Sequence, residues 1–308
     1  MISKRLRLIS GYLKNTFARR RPDYYLNYSL GRLDRMKKNN LRPGSAILDI
    51  GCGYAYPGTA IVSLEGFRVS GVDIASCFWR DGMRRKFIGN MRSLGLLRAI
   101  VETPAVWYRE RQKFTEIEKH FSAKINHKAL DLRTYNGKVL PIADSSFDAA
   151  ISQDVLEHVN DLRLFWQEIT RVLRPGGVID MTYHNFYCPS GSHMPVIDSD
   201  PWAHVRGTGQ RIRHDYLNAA WPADIVQSAE KAGIKINQLR PASFGGDVKP
   251  VNSFSDAYEG VQWCDKWDRI IMPMIEKDAE RLRHLEKSGM TAHDLMHVSR
   301  WNIAGVKL

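Results

Sequence analysis

Residues 46–59, A-I-L-D-I-G-C-G-Y-A-Y-P-G-T, restrict the fold more than any other stretch of this chain. The apolar opening with one embedded carboxylate, Asp49, is the pattern of a buried parallel strand, and it stops at Gly51-Cys52-Gly53. Two glycines permit a sharp turn and let a ligand approach the backbone where a Cβ would otherwise stand. Pro57 suits the first turn of a following helix. A tight βα turn without a ligand would also use such glycines. In doubly wound α/β folds, however, a glycine turn of this kind binds nucleotide-like ligands, and a carboxylate ending the next strand grips a ribose. Residues 67–74, F-R-V-S-G-V-D-I, read as that strand and end on Asp73 and Ile74.

Ala55 stands where a third glycine would, and Asp49 precedes Gly51 by two residues. This D-x-G-x-G resembles motif I of class I S-adenosylmethionine-dependent methyltransferases more than the G-x-G-x-x-G of nicotinamide enzymes. Residues 140–148, L-P-I-A-D-S-S-F-D, and 173–177, L-R-P-G-G, are similar to two further signatures of that family, of the methyltransferase type 11 kind. The resemblance runs over about residues 43–185. It implies a Rossmann-like, doubly wound sheet of seven strands with helical insertions, and S-adenosylmethionine as cofactor. The positions it implies for cofactor binding are Asp49, Gly51, Cys52 and Gly53 on the first turn, then Asp73 and Ile74. Asp131 and Leu132 follow near the end of a third strand, with Asp131 on the adenine amino group, and Gln153 ends the fourth. A helix over residues 24–39, broken by Arg42-Pro43-Gly44, would lie over the cofactor, with Tyr24, Tyr25 and Tyr28 either covering its methionine end or packing into the core.

At 308 residues with 44% apolar side chains, the chain suits one domain carrying insertions. No run of about 18 apolar residues is present to span a membrane, and the N-terminus lacks the apolar core of a signal peptide. Cysteines at 52, 77, 188 and 264 form no C-x-x-C, which favours a reduced cytoplasmic protein without structural zinc. The net charge of +12 is concentrated: residues 1–42 hold twelve Lys or Arg against Asp23 and Asp34, leaving the rest nearly neutral. Ile2, Leu6, Ile9, Leu13 and Phe17 recur there at helical spacing opposite basic residues. Such a helix can lie on an anionic membrane through residues 1–21, or pack as a cap with a solvated basic face. Nucleic acid is a third partner for the charge, although a basic arm alone reads no sequence. The organisation expected is a basic arm over 1–42 and a catalytic domain over 43–308, with insertions at about 76–127, 186–220 and 241–290. The first insertion holds Cys77-Phe78-Trp79-Arg80 and Arg84-Arg85-Lys86, suited to an acidic or sugar-containing substrate or simply to surface packing. In the last, the charged helical stretch 256–286 suits a lid or an oligomer contact.

The fourth strand delivers Q-D-V-L-E-H-V, residues 153–159, to the ligand-binding edge of the sheet. On a helical turn Asp154 and Glu157 share a face, and with His158 they offer hard oxygens and an imidazole suited to Mg²⁺ or Mn²⁺. The stretch resembles the E-x-x-E-H of metal-dependent O-methyltransferases of ubiquinone biosynthesis and of small-RNA 2′-O-methyltransferases, which implies His184 as a further ligand. L-E-H-V also occurs in methyltransferases without a metal, where the glutamate caps the helix. Beyond His184, irregular segments carry Tyr187, S-G-x-H ending on His193, and P-W-x-H containing Trp202 and His204. The aromatics suit stacking on a sugar. His158, His184, His193 and His204 are the candidate proton acceptors. These segments are similar to methyltransferases of glycan biosynthesis. The expectation is O-methylation of a hydroxyl on a sugar, glycan or other small molecule, with an RNA methyltransferase and a nonenzymatic nucleotide-binding module as alternatives.

Overall fold

A computed structural model describes residues 23–53, 56–75, 84, 87–92, 95–189, 191–192, 202–206, 217–242, 265–287 and 289–308. The arm over 1–21, Ala55, residues 77–80, Arg85, Lys86 and His193 lie outside them, as do the side chains of Tyr24, Tyr25 and Tyr28.

Seven strands form one sheet in the order β3-β2-β1-β4-β5-β7-β6. They are β1 Ala46–Ile50, β2 Arg68–Asp73, β3 Asp131–Thr134, β4 Phe147–Gln153, β5 Leu173–His184, β6 Ile234–Pro241 and β7 Arg300–Lys307. β1 to β5 run parallel, and β7 is antiparallel to both of its neighbours. The chain leaves β1 toward one edge and returns to build the other from β4. The order therefore reverses between β1 and β4, and a crevice opens at their carboxyl ends.

All five residues of β1 are buried, which explains a run that is apolar except for Asp49. Ala46, Leu48 and Ile50 join one apolar cluster with Trp166, Met181 and Trp301. Ile47 joins the other, with Leu33, Ile61 and Phe114. The alternation is that of a strand packed on both faces, and it sends Asp49 to the side of Ile47.

Helices cover that side: α1 Asp23–Lys38, α2 Pro57–Leu64 and α3 Leu96–Phe121. The opposite side carries α4 Leu162–Val172, the short α5 Ala203–Arg206 and α6 Pro222–Lys231, then α7 Asp265–Glu276, α8 Ala279–Lys287 and α9 Ala292–His297. Two arginines clip α1 to the sheet. Arg32 donates Nη2 to the Ser152 carbonyl at 2.8 Å, and Arg35 donates Nε to Asp180 Oδ2 at 2.7 Å. Asp161 starts α4 by accepting the amide of Leu164 at 2.9 Å. Among the described residues no helix is long and apolar enough to cross a membrane.

Candidate cofactor and acceptor site

The crevice is built first by backbone. Gly51 and Gly53 both adopt left-handed conformations, with φ of 66° and 75°. The amides of Gly51 and Cys52 donate to the Val72 carbonyl at 2.8 and 3.1 Å, which holds the turn against β2. A Cβ on Gly51 would overlap Cγ2 of Val155, whereas one on Gly53 would meet nothing within 4 Å. Gly51 is thus needed for packing, and Gly53 leaves open backbone facing the crevice.

Asp73 ends β2. Its Oδ2 accepts the Gly53 amide at 2.8 Å and its Oδ1 accepts the Ala75 amide at 2.7 Å. A carboxylate has about four acceptor positions, so lone pairs remain for a diol. Ile74 is 71% exposed although apolar, and its Cγ2 lies 3.4 Å from where Gly137 would carry a Cβ. Val139, three residues from Asn136 on the same rim, is 57% exposed. Open backbone, a carboxylate and uncovered apolar surface are what a ribose and a purine ring require together. S-adenosylmethionine carries both, and these residues fit it.

Asp49 lies under the turn. It is buried and accepts Thr59 Oγ1 at 2.6 Å. Burial pushes its carboxyl above the usual range, and the guanidinium of Arg32 opposes that rise. Tyr56 follows the turn with φ of 40° as the residue before α2, fully buried. Its hydroxyl is 3.2 Å from His127 Nδ1, and its ring packs near Phe114. Gln153 is half-buried at the end of β4, opposite Thr182.

Asp131 and Leu132 are not at this edge, which corrects the expected third strand. Asp131 begins β3 and pairs in register with Ser70, while Thr134 is the residue opposite Asp73. Ser70 Oγ donates to Asp131 at 2.5 Å, and Arg133 bonds the same carboxylate. Leu132 is buried against Gly71. The edge position belongs to Tyr135, whose amide donates to the Asp73 carbonyl at 3.1 Å. Its half-buried phenol is pushed above its usual range by burial, with Asp73 and Cys52 adding to the rise. The β-branched Thr134 was the available sign that the strand runs on past Leu132.

On the acceptor side, Asp154 leaves β4 with φ of 53° and donates its amide to the Thr182 carbonyl at 2.9 Å. Its two oxygens accept Nε of Arg300 at 2.9 and 3.0 Å. Leu156–His158 is a 3₁₀ turn, not the α-helical start expected, so Asp154 and Glu157 do not share a helical face. Glu157 is buried there. Burial pushes its carboxyl well above the ordinary range, Asp154 adds to the rise and Arg300 opposes it. His184 is nearly buried with Nε2 3.7 Å from Cys188 Sγ. Among the described residues no three His, Cys, Asp or Glu side chains gather so as to hold a metal ion. The expected Mg²⁺ or Mn²⁺ set of Asp154, Glu157, His158 and His184 is therefore corrected: Arg300 occupies the Asp154 carboxylate, and burial favours the uncharged form of Glu157.

The aromatic platform also dissolves into packing. Trp202 is fully buried and donates Nε1 to the Tyr187 carbonyl at 2.8 Å. Tyr187 donates its hydroxyl to the Ala219 carbonyl at 3.3 Å and packs edge-on to Trp221. His204 Nε2 donates to the Phe186 carbonyl at 2.8 Å from a buried ring edge-on to Phe186. His158 alone of the described candidate histidines is half-buried rather than buried.

A family model described as a methyltransferase domain matches residues 111–180. That match spans less than half of the chain, which is similar there to a methyltransferase domain. Squalene methyltransferase 1 of Botryococcus braunii is 29% identical to this chain over 164 residues, 52% of the chain and 34% of that protein. An uncharacterized methyltransferase of Mycolicibacterium gilvum is 36% identical over 126 residues, 38% of the chain and 49% of its own length. Sterol 24-C-methyltransferase ERG6B of Gibberella zeae is 26% identical over 158 residues, with shares of 51% and 30%. The chain thus spans less than half the length of these curated relatives. The sheet has the seven strands, doubly wound, that the resemblance of the motifs implied.

Proposed function

We propose that this chain transfers a methyl group to a small-molecule acceptor, and that the acceptor atom is a hydroxyl oxygen of a sugar or similar polar compound. The observation that carries the reading is the Gly53–Asp73 pair beside uncovered Ile74 at the reversal of strand order. S-adenosylmethionine, when bound, supplies an electrophilic methyl group. The chain's part is to orient: Asp73 and the Gly53 backbone hold the nucleoside end, Gln153 and the Asp154 turn border the reacting end, and positioning supplies most of the rate. His158 is the candidate to take the hydroxyl proton. Asp154 is committed to Arg300 and Glu157 is buried, whereas His158 is half-buried.

Carbon methylation of an isoprenoid lipid is a second reading, favoured by the squalene and sterol methyltransferases among the relatives. Labelled S-adenosylmethionine incubated with the protein and cell extract separates the two. Label in a water-soluble, periodate-sensitive product supports the hydroxyl reading. Label in a solvent-extractable hydrocarbon supports the lipid, label in RNA overturns both, and absence of any transfer with retained cofactor binding returns the chain to a binding module.

A further inference from the structure

We infer that Arg300 is a positioning residue for the cofactor turn, an internal cation that holds Asp154 in its left-handed conformation so that Val155 backs Gly51. The inference rests on the cofactor reading above for its purpose and on the geometry of three strand ends for its mechanism. Asp154, with φ of 53°, adopts a conformation that L side chains rarely take. It is tethered on two sides, by its amide on the Thr182 carbonyl and by its carboxylate on Arg300.

The tether is well placed to matter. Arg300 opens β7 and stands opposite His184 in the register. Its side chain is 11% exposed and that of Asp154 24%, so the pair is screened less than a surface ion pair. The start of β7 is itself held. Asn185 donates Nδ2 to the Val298 carbonyl at 2.7 Å and its amide to the Ser299 carbonyl at 2.9 Å. From Asp154 the next residue is Val155, whose Cγ2 fills the only direction in which Gly51 could carry a side chain. Gly51 and Cys52 in turn donate to Val72, immediately before Asp73. A continuous run of contacts thus joins the last strand to the ribose-binding carboxylate. Among the carboxylates of this edge, the guanidinium does by fixed attachment what a divalent cation would do by coordination.

The test uses the full chain carrying Arg300→Met or Arg300→Lys, without ligand. Amide exchange is followed at Gly51, Cys52, Gly53 and Asp154, with amides of α4 and β6 as internal references. Arg300→Met should speed exchange at the four site amides about tenfold and leave the references unchanged, because the opening is local. Arg300→Lys keeps the charge and should restore most of the protection. EDTA should leave the wild-type pattern unaltered. Affinity for S-adenosylhomocysteine, measured by calorimetry, should fall about three- to tenfold in Arg300→Met. Unchanged site amides in a folded Arg300→Met protein would overturn the inference, as would an equal rise at the references, which would make the pair a general strut. A wild-type protein that fails to bind S-adenosylhomocysteine sinks the cofactor reading, while the exchange pattern still decides the role of Arg300.

Discussion

Gly51 and Val155 meet across the crevice with no room for a methyl group between them. One belongs to the turn after β1 and the other to the turn after β4, the two strands flanking the reversal of sheet order. Their contact locks the turn after β1 to the turn after β4, so a disturbance of either is felt by both.

The two glycines of the turn should therefore respond differently to substitution. Gly53→Ala adds only left-handed backbone strain, about 1–2 kcal/mol, because nothing lies within 4 Å of its Cβ. Gly51→Ala adds overpacking against Val155, a further cost of about 1–3 kcal/mol. Urea denaturation of both variants measures the difference. Equal losses would remove the packing role of Val155.

Asp73→Ala should weaken S-adenosylmethionine binding by about 1.5–3 kcal/mol, the range for hydrogen bonds to a charged group. Part of the loss is indirect, since Oδ2 also holds the Gly53 amide. Asp73→Asn keeps one acceptor oxygen and should fall between wild type and alanine. Calorimetry reads both, and unchanged affinity in folded Asp73→Ala would exclude this carboxylate from the site.

What the sequence made legible follows from periodicity and local chemistry. A short, mostly apolar run ending on glycines specified β1, its turn and the carboxylate of Asp73 because each depends on neighbouring residues. Asp131 was misplaced because strand ends are the least certain part of such a reading, and a three-residue offset moves a side chain from the binding edge to the opposite end of its strand. The metal set failed for a different reason. Spacing brings Asp154 and Glu157 together only on an α-helix, and it cannot show that a residue 146 positions later takes the carboxylate. Likewise nothing local in P-W-x-H distinguishes an exposed Trp202 from one buried under Tyr187.

Glu157 should make the protein less stable as pH rises. Its folded-state pKa is raised by burial, so between the ordinary glutamate value and that raised value the folded state binds more protons than the unfolded one. The linkage slope is then negative: stability is greatest below the unfolded pKa and falls through this window. Glu157→Gln preserves the shape without the titration. It should flatten that part of the profile and exceed wild type at about pH 8 by about 1–3 kcal/mol. Chemical denaturation from about pH 5 to pH 8 decides the matter, and a wild-type stability that climbs with pH alongside an identical Glu157→Gln curve would refute it.

Arg32 and Asp49 provide the sharpest test of how α1 supports the cofactor turn. Arg32 is 2% exposed and donates to the Ser152 carbonyl, and its guanidinium opposes the burial-driven rise in the Asp49 pKa. Arg32→Met would leave the buried Asp49 carboxylate without the guanidinium and still accepting the Thr59 hydroxyl, at a cost of about 3–5 kcal/mol for an uncompensated charge. The cost should shrink as pH falls, because protonation removes the charge that lost its partner. Arg32→Met combined with Asp49→Asn should recover most of the stability, since replacing both members of a buried pair is often nearly neutral. Denaturation midpoints for the two single variants and the double variant complete a cycle. If the double variant loses the sum of the single losses, the arginine supports α1 through packing and the Ser152 bond alone, and Asp49 is held by the turn without it.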